Sequence, residues 1–511
     1  MSAEASESEF PVFHGEKGRR CWKGMDNTRP RIVIAALRGG SGKTTLSLGL
    51  VAAWRQRADR IVPFKKGPDY IDAGWLSLAA GEPCYNLDPF IMTREQILDS
   101  FCRHTLDAQG AVIEGNRGLF DGMDVAGSCS TAEVAKFLQA PVLLVVDATK
   151  ITRTCAALVL GCQRLDPGVR IQGIILNWVA GPRHEEMLRT SIERYCQVPV
   201  LGAIPRLKKD PFPERHMGLV TAMEHPEARE AVLARIRVVE KHVDLGRVIG
   251  VAEEAPPLRL HSARSSRTVS KAYRQPVVGV IRDSAFQFYY PENLEALEDR
   301  GARLVLLSAL HDRALPPLDA LYIGGGFPET HAEQLTANSR FRESLRLAVE
   351  AGLPVYAECG GLMYLGRSLY TEGRTYPMAQ VLPIDFEIRK QPQGHGYTRL
   401  EVVEVNPFYP VGTVLKGHEF HYSRVARCDR AGISLAFAVR RGKGVLDEMD
   451  GVCYKNVLAT YSHLHAVGSS EWAEGLVRTA LAYQLESRID PESKKRYMDA
   501  RSTIGVGDGL R

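Results

Sequence analysis

Short, continuously apolar runs alternate with longer stretches of helical spacing through the first half of the chain. The runs at 32–37, 61–64, 111–114, 142–147 and 171–177 are rich in Val and Ile and read as strands. Between them, 44–57 and 131–138 place apolar residues three and four apart, the spacing of helices with one buried face. Val142-Leu143-Leu144-Val145-Val146 has no polar position to turn towards water, as expected of a parallel strand covered on both faces. A second block of the same kind opens at 277–281 and continues through 304–307, 320–323 and 355–358. From 225 to 275 Glu, Arg, Ala and Pro dominate, and His261-Ser262-Ala263-Arg264-Ser265-Ser266-Arg267 reads as an exposed connector. The pattern predicts two α/β domains, 30–224 and 276–486, joined by a linker at 225–275. A flexible extension at 1–29 and a loosely held tail at 487–511 flank them.

Composition narrows the class. With 511 residues, 45% hydrophobic and 24% charged, the chain is long enough to bury a core in each domain. A net charge of +5 does not by itself argue for nucleic-acid binding. No run of about 18 apolar residues points to a membrane span. The extension at 1–29 lacks the apolar segment of a secretory signal. The ten cysteines form no CxxC pair, which disfavours zinc ribbons and redox dithiols. A cytoplasmic protein with reduced thiols is therefore expected, with no nucleic-acid or membrane partner.

Candidate chemistry begins at Arg38-Gly39-Gly40-Ser41-Gly42-Lys43-Thr44-Thr45, between a predicted strand and a predicted helix. That is the context of a phosphate loop, so Gly39, Gly40, Ser41, Gly42, Lys43, Thr44 and Thr45 are the candidate nucleotide-binding residues. Glycines let backbone N–H groups converge on phosphate at a helix N-terminus. Lys43 adds a point charge, and Thr44 a hydroxyl for Mg²⁺. Leu37 replaces the first glycine of the usual Walker pattern. The loop resembles the variant of dethiobiotin synthetases and partition ATPases, with Arg38 where that variant has its signature lysine.

Lys65-Lys66-Gly67-Pro68-Asp69-Tyr70-Ile71-Asp72 follows the second strand. Its charges could hold Mg²⁺ and orient a substrate carboxylate and phosphate, or form a Pro-initiated turn in solvent. Glu114 ends the third strand, where open α/β sheets bind ligands, and is a candidate metal ligand. Thr44, Asp69 and Glu114 are thus the expected metal set, with ATP and Mg²⁺ as cofactors.

In the second block, Val355-Tyr356-Ala357-Glu358-Cys359-Gly360-Gly361 runs from an apolar strand into a helix through small residues. This is the sequence of a nucleophile elbow, which exposes a thiol at a helix N-terminus. A thiolate needs a base, and Thr460-Tyr461-Ser462-His463-Leu464-His465 offers two histidines. Gly324, Gly325 and Gly326, just past the strand at 320–323, together with Gly360, are candidate oxyanion donors. Cys359, with one of His463 and His465, is the catalytic candidate.

Together the motifs at 39–45, 65–72, 114–122, 288–294, 323–329, 357–361, 417–423 and 460–465 resemble the cobyrinate a,c-diamide synthase family. That resemblance implies a P-loop NTPase-like, dethiobiotin-synthetase-like parallel-sheet domain followed by a flavodoxin-like class I glutamine amidotransferase domain. It implies glutamine hydrolysis by Cys359 and His463, with ammonia delivered to a carboxylate activated by ATP as an acyl phosphate. Asp69 and Asp72 would then bind and activate the substrate, with Tyr70 and Ile71 beside the chosen carboxylate. The implied substrate is a tetrapyrrole acetate: the a and c carboxylates of cobyrinate or hydrogenobyrinate, or the corresponding groups of sirohaem or nickel-sirohydrochlorin. A homodimer is one assembly this allows. Many class I amidotransferases place a glutamate two residues after the histidine; here that position is His465, so the site resembles a Cys–His dyad, and His465 either orients His463 or packs. A reading of another class is a nucleotide-switched, partner-binding ATPase of the partition type.

Overall fold

The computed structural model describes residues 29–206, 214–215, 218–219, 221, 224–225, 227–258 and 275–488. The extension at 1–28 and the tail from 489 lie outside the described residues, as does the connector at 259–274. The chain divides into two compact units, Met1–Ser266 and Arg267–Arg511.

The first unit is built on strands β1 (Arg31–Ala36), β2 (Ile61–Lys66), β3 (Tyr85–Leu87), β4 (Gly110–Glu114), β5 (Val142–Asp147), β6 (Ile171–Val179) and β7 (Val200–Pro205). They form a seven-stranded sheet in the order β3-β2-β4-β1-β5-β6-β7, and every pairing is parallel. The expectation of a parallel sheet buried on both faces holds: every residue of β1, β2 and β4 is buried. Residues in the central positions are apolar, while charges such as Lys65, Lys66, Glu114 and Asp147 fall at the carboxyl ends. A two-stranded hairpin of β8 (Glu214–Arg215) and β9 (Gly218–Leu219) follows.

The stretch read as a linker at 225–275 is partly core. Helices Ala228–His242 and Leu245–Glu253 bury Ala231, Val232, Ile236, Val239, Leu245 and Val248 among the apolar residues of the first unit. Polar residues between those positions hide the apolar stripe from a composition count, because a surface helix buries only one face. The buried Arg31 guanidinium donates to the carbonyls of Leu138 and Pro256, tying this segment to the first strand. Helix Ala228–His242 also backs the helix Lys43–Arg55 at close range. A Cβ on Gly49 would lie 2.6 Å from the Arg235 carbonyl oxygen and 2.5 Å from Val239 Cγ2.

The second unit carries β10 (Val277–Ile281), β11 (Arg303–Leu307), β12 (Ala320–Ile323) and β13 (Val355–Glu358). These are followed by β14 (Ser368–Thr371), β15 (Arg374–Pro377), β16 (Ile384–Ile388), β17 (Gly394–Val402) and β18 (Val414–His421). The last are β19 (Ser423–Cys428), β20 (Ser434–Arg441), β21 (Met449–Tyr454), β22 (Val457–Thr460) and β23 (His463–Leu464). The main sheet has ten strands in the order β11-β10-β12-β13-β22-β21-β20-β17-β18-β23. Its first five pair in parallel, and the remainder are antiparallel. A smaller sheet, β15-β14-β16-β19, accompanies it. No helix among the described residues is long and apolar enough to cross a membrane.

Replacing Gly49 by Val is expected to destabilise the chain by about 1–3 kcal/mol, because the Arg235 backbone as well as the buried Val239 side chain opposes the added atoms. Denaturant unfolding of the full chain measures it, and an unchanged midpoint would mean that the two helices can separate freely.

Candidate active sites

In the first unit, the loop from Arg38 to Gly42 connects β1 to the helix that opens at Lys43. Gly42 adopts φ 87°, and a Cβ there would lie 2.2 Å from Asn177 Nδ2. That amide donates to the Ser41 carbonyl at 3.0 Å, so the end of β6 props the loop. Lys43 is buried, with Nζ on the carbonyls of Arg117 at 2.7 Å and Arg38 at 3.3 Å. Burial lowers its affinity for a proton, and Glu114 partly restores it. Arg38, at the signature-lysine position, is exposed and pairs with Asp147 at the end of β5.

The acidic candidates meet at the carboxyl ends of β2 and β4, which are adjacent in register with Lys65 opposite Glu114. Glu114 is fully buried, and its Oε1 accepts from Thr44 Oγ1 at 2.7 Å and Lys65 Nζ at 2.8 Å. Lys65 Nζ also reaches Asp72 Oδ2 at 2.5 Å. Burial disfavours the lysine's charge, but Asp72, Glu114 and Asp69 outweigh it and hold Lys65 protonated. Burial pushes Glu114 up, against the pull of Lys65. Asp69 Oδ1 accepts from the N–H groups of Ile71 and Asp72 at 2.9 and 3.0 Å, fixing the start of helix Ile71–Ala80. Burial and then the Asp72 charge raise Asp69 to about 7.

This oxygen-rich set fits a hard cation. Glu114 Oε2 is buried and has no hydrogen-bond partner, Thr44 Oγ1 lies on its other oxygen, and Asp69 is near enough for the two carboxyl groups to repel. No group of three His, Cys, Asp or Glu residues spaced for a metal occurs among the described residues. Mg²⁺, which keeps several waters and takes its other ligands from phosphates, needs only one or two carboxylates.

In the second unit, β13 breaks at Cys359, whose φ of 45° and ψ of −97° are strained for a residue with a side chain. The Cys359 N–H donates to Thr460 O at 2.7 Å, and helix Gly360–Leu365 starts at once. A Cβ on Gly360 would come within 2.9 Å of the Gly326 nitrogen, so the elbow and the Gly324–Gly326 turn touch through bare backbone. The Gly360 N–H bonds the Cys359 sulfur, while burial and the nearby Glu329 push the thiol far above its usual range. Both effects favour the neutral thiol at Cys359.

Cys359 Sγ lies 4.0 Å from the Phe420 carbonyl of β18, and His463 pairs in register with His418 of the same strand. Thiol and imidazole thus border one stretch of β18. The rings of His463 and His418 stack at 4.9 Å, and burial, with His463 and His465 alongside, keeps His418 neutral. A Cβ on Gly325 would lie 2.4 Å from His463 Cε1. Gly324 is placed differently from its neighbours, because its N–H already donates to the Tyr289 hydroxyl at 2.7 Å. That leaves the N–H groups of Gly325 and Gly326 beside the elbow, with the Gly360 N–H on the Cys359 sulfur.

His465 does not turn its nitrogens to His463. Its Nδ1 accepts from the Val467 N–H at 3.2 Å, its Nε2 lies 3.5 Å from Glu292, and its ring packs on Tyr290. Sequence reading passed over Glu358, which is fully buried directly before the cysteine, with Oε2 3.4 Å from His463 Nδ1. Its position at the end of a parallel strand was the available signal.

Residues 32–220 match the CobQ/CobB/MinD/ParA nucleotide binding domain family, and 277–471 match the CobB/CobQ-like glutamine amidotransferase domain family. A cobyrinate a,c-diamide synthase of Magnetococcus marinus is 47% identical over 452 residues, 88% of this chain and 97% of that protein. Proteins of the same name from Archaeoglobus fulgidus and Syntrophotalea carbinolica are 41% and 40% identical, covering 88% and 85% of this chain and 98% and 95% of theirs. Among solved structures, one titled as a glutamine amidotransferase aligns at TM-score 0.29 and 22% identity over 40% of this chain and 97% of its own, too slight a likeness to carry an argument.

Gly325→Ala is expected to slow glutamine hydrolysis by about 10²-fold, since displacing a base by an ångström is enough for that. Glutamate release measures it, with the thermal midpoint as the control for folding; a wild-type rate would show that His463 has room to spare.

Proposed function

The chain belongs to the cobyrinate a,c-diamide synthase family, and from that premise we propose that it amidates the a and c acetate carboxylates of cobyrinate or hydrogenobyrinate. It is a glutamine-dependent, carbon–nitrogen bond-forming ligase with a nucleotide-binding unit and an amidotransferase unit. One observation carries the proposal: a single chain combines a phosphate loop whose Thr44 meets Glu114 with a strained cysteine elbow and a histidine, His463, that border the same strand.

In the amidotransferase unit, Cys359 attacks the side-chain carbonyl carbon of glutamine while His463 takes the thiol proton. The N–H groups of Gly325, Gly326 and Gly360 receive the developing oxyanion. His463 returns the proton to the leaving nitrogen, ammonia departs, and a thioester remains. Water, deprotonated by the same imidazole, hydrolyses the thioester to glutamate and restores the thiol.

In the nucleotide-binding unit, Gly39, Gly40, Ser41, Gly42, Lys43, Thr44 and Thr45 cradle the phosphates of ATP. Thr44, Glu114 and Asp69 would hold Mg²⁺, and the ion would supply positive charge to offset that of the phosphates. Asp69, Tyr70, Ile71 and Asp72 bind the acetate, and Lys65 supplies a fixed positive charge beside it. A carboxylate oxygen attacks the γ-phosphorus, ADP leaves, and an acyl phosphate forms. Ammonia then attacks the acyl carbon and inorganic phosphate departs, leaving the amide. A carboxylate alone is too poor an electrophile for this exchange, and ammonia made on the protein is consumed before it is lost as ammonium.

The name shared by the relatives supports cobyrinate over sirohaem or nickel-sirohydrochlorin. The partition-type ATPase reading has no use for an intact amidotransferase unit.

Cys359→Ala is expected to abolish glutamine-supported amidation of cobyrinate, by at least about 10³-fold. Ammonia-supported, ATP-dependent amidation should survive, with two amides counted by mass. Unchanged use of glutamine would overturn the proposal. A second expectation concerns pH: Asp69 titrates near 7, protonated below and ionised above, so apparent affinity for Mg²⁺ and ATP should weaken as pH falls through about 7. Asp69→Asn should bind weakly and without that dependence; retention of the wild-type profile would remove Asp69 from the metal set.

A further inference from the structure

We propose that Glu358 is the positioning residue for His463, making a Cys359–His463–Glu358 triad whose carboxylate comes from the residue directly before the nucleophile. This rests on the glutaminase reading above and goes beyond it, since that reading assigns no residue to orient the base.

The geometry is specific. Glu358 is fully buried, and its Oε2 lies 3.4 Å from His463 Nδ1. The same carboxylate is held from two sides. Oε1 accepts from the Leu464 N–H at 3.2 Å, and Oε2 accepts from the Tyr322 hydroxyl at 3.3 Å. Burial keeps the Tyr322 phenol protonated and therefore a donor. A buried carboxylate needs such partners, and these two leave it aimed at one edge of the imidazole. The backbone fixes the pair as well: Glu358 sits opposite Thr460 in the β13–β22 register, and His463 follows three residues on.

Adjacent residues on an extended strand point to opposite faces, which would ordinarily prevent two neighbours from serving one histidine. The positive φ of Cys359 ends that alternation at the residue where it would matter. His418 stacks on His463, is kept neutral by burial, and is itself bonded to the Tyr290 hydroxyl at 3.3 Å. It offers packing and no counter-charge.

A carboxylate on Nδ1 selects the tautomer with its proton there, leaving Nε2 as the basic nitrogen. It also stabilises the imidazolium that forms when the neutral Cys359 thiol gives up its proton. The amide of Glu358→Gln has the same shape but can donate to Nδ1, which holds the imidazole in the tautomer that cannot act as base at Nε2.

Glu358→Gln is therefore expected to lower kcat for glutamine-supported amidation by about 10²–10⁴-fold, with KM for glutamine within about threefold of wild type. The ammonia-supported rate of the same variant should be unchanged. Glu358→Asp, which keeps the charge on a shorter arm, should retain more kcat than Glu358→Gln and decides the matter if the amide variant does not fold. A wild-type kcat in Glu358→Gln, a loss confined to KM, equal losses with ammonia and glutamine, or an aspartate variant no better than the amide would each overturn the assignment. If Cys359→Ala still uses glutamine, the glutaminase reading itself fails; if only the Glu358 variants behave as wild type, the positioning role alone is lost.

Discussion

A strand covered on both faces has nowhere to put a polar side chain except at its end, and this constraint places the chemistry of both units. In the first unit the middle of β1, β2 and β4 is apolar, and Lys65, Lys66 and Glu114 appear where the strands run out. In the second, β12 delivers the Gly324–Gly326 turn and β13 delivers Glu358 and Cys359. Parallel pairing makes all these ends emerge on the same edge of each sheet, so residues far apart in sequence become neighbours. Thr44 and Glu114 meet across 70 positions, and Glu358 and His463 across 105.

Having been driven to the edge, the polar groups are still buried, and each needs a partner. Lys65 lies between Asp72 and Glu114 with 2% of its side chain exposed, too little for water to carry its charge. Such an arrangement adds little net stability, because desolvation consumes most of the attraction. Its value is chemical: a fixed cation, a carboxylate with one oxygen uncommitted, and an aspartate that titrates near 7 stand beside a phosphate loop. The cysteine elbow follows the same logic with backbone in place of charge. Strain at Cys359 is sustained by its hydrogen bond to Thr460 and by glycines that admit close approach, and it turns the thiol out of the strand.

Much of this was legible in the sequence. Val142–Asp147, Val277–Ile281, Ala320–Ile323 and Val355–Glu358 are strands at the bounds the apolar runs indicate. The phosphate loop and elbow could be located because each depends on local conformations that particular residue types permit. Less local features escaped. The helices at Ala228–His242 and Leu245–Glu253 read as linker because their apolar stripe is diluted by charge, and only the packed neighbour at Gly49 reveals which face is buried. β3, three residues long, is too short for a period to register.

The sequence by itself determined the order of elements, the positions of the cysteine elbow and the phosphate loop, and the family, because these follow from periodicity and from short contiguous motifs. Tertiary structure decided which groups share a site. It turned His465 to Glu292 and Tyr290, engaged the Gly324 N–H with Tyr289, and set Glu358 against His463. No spacing rule could have done so, because these contacts depend on strand register and on the rotation of buried rings, which are fixed only when the whole sheet packs.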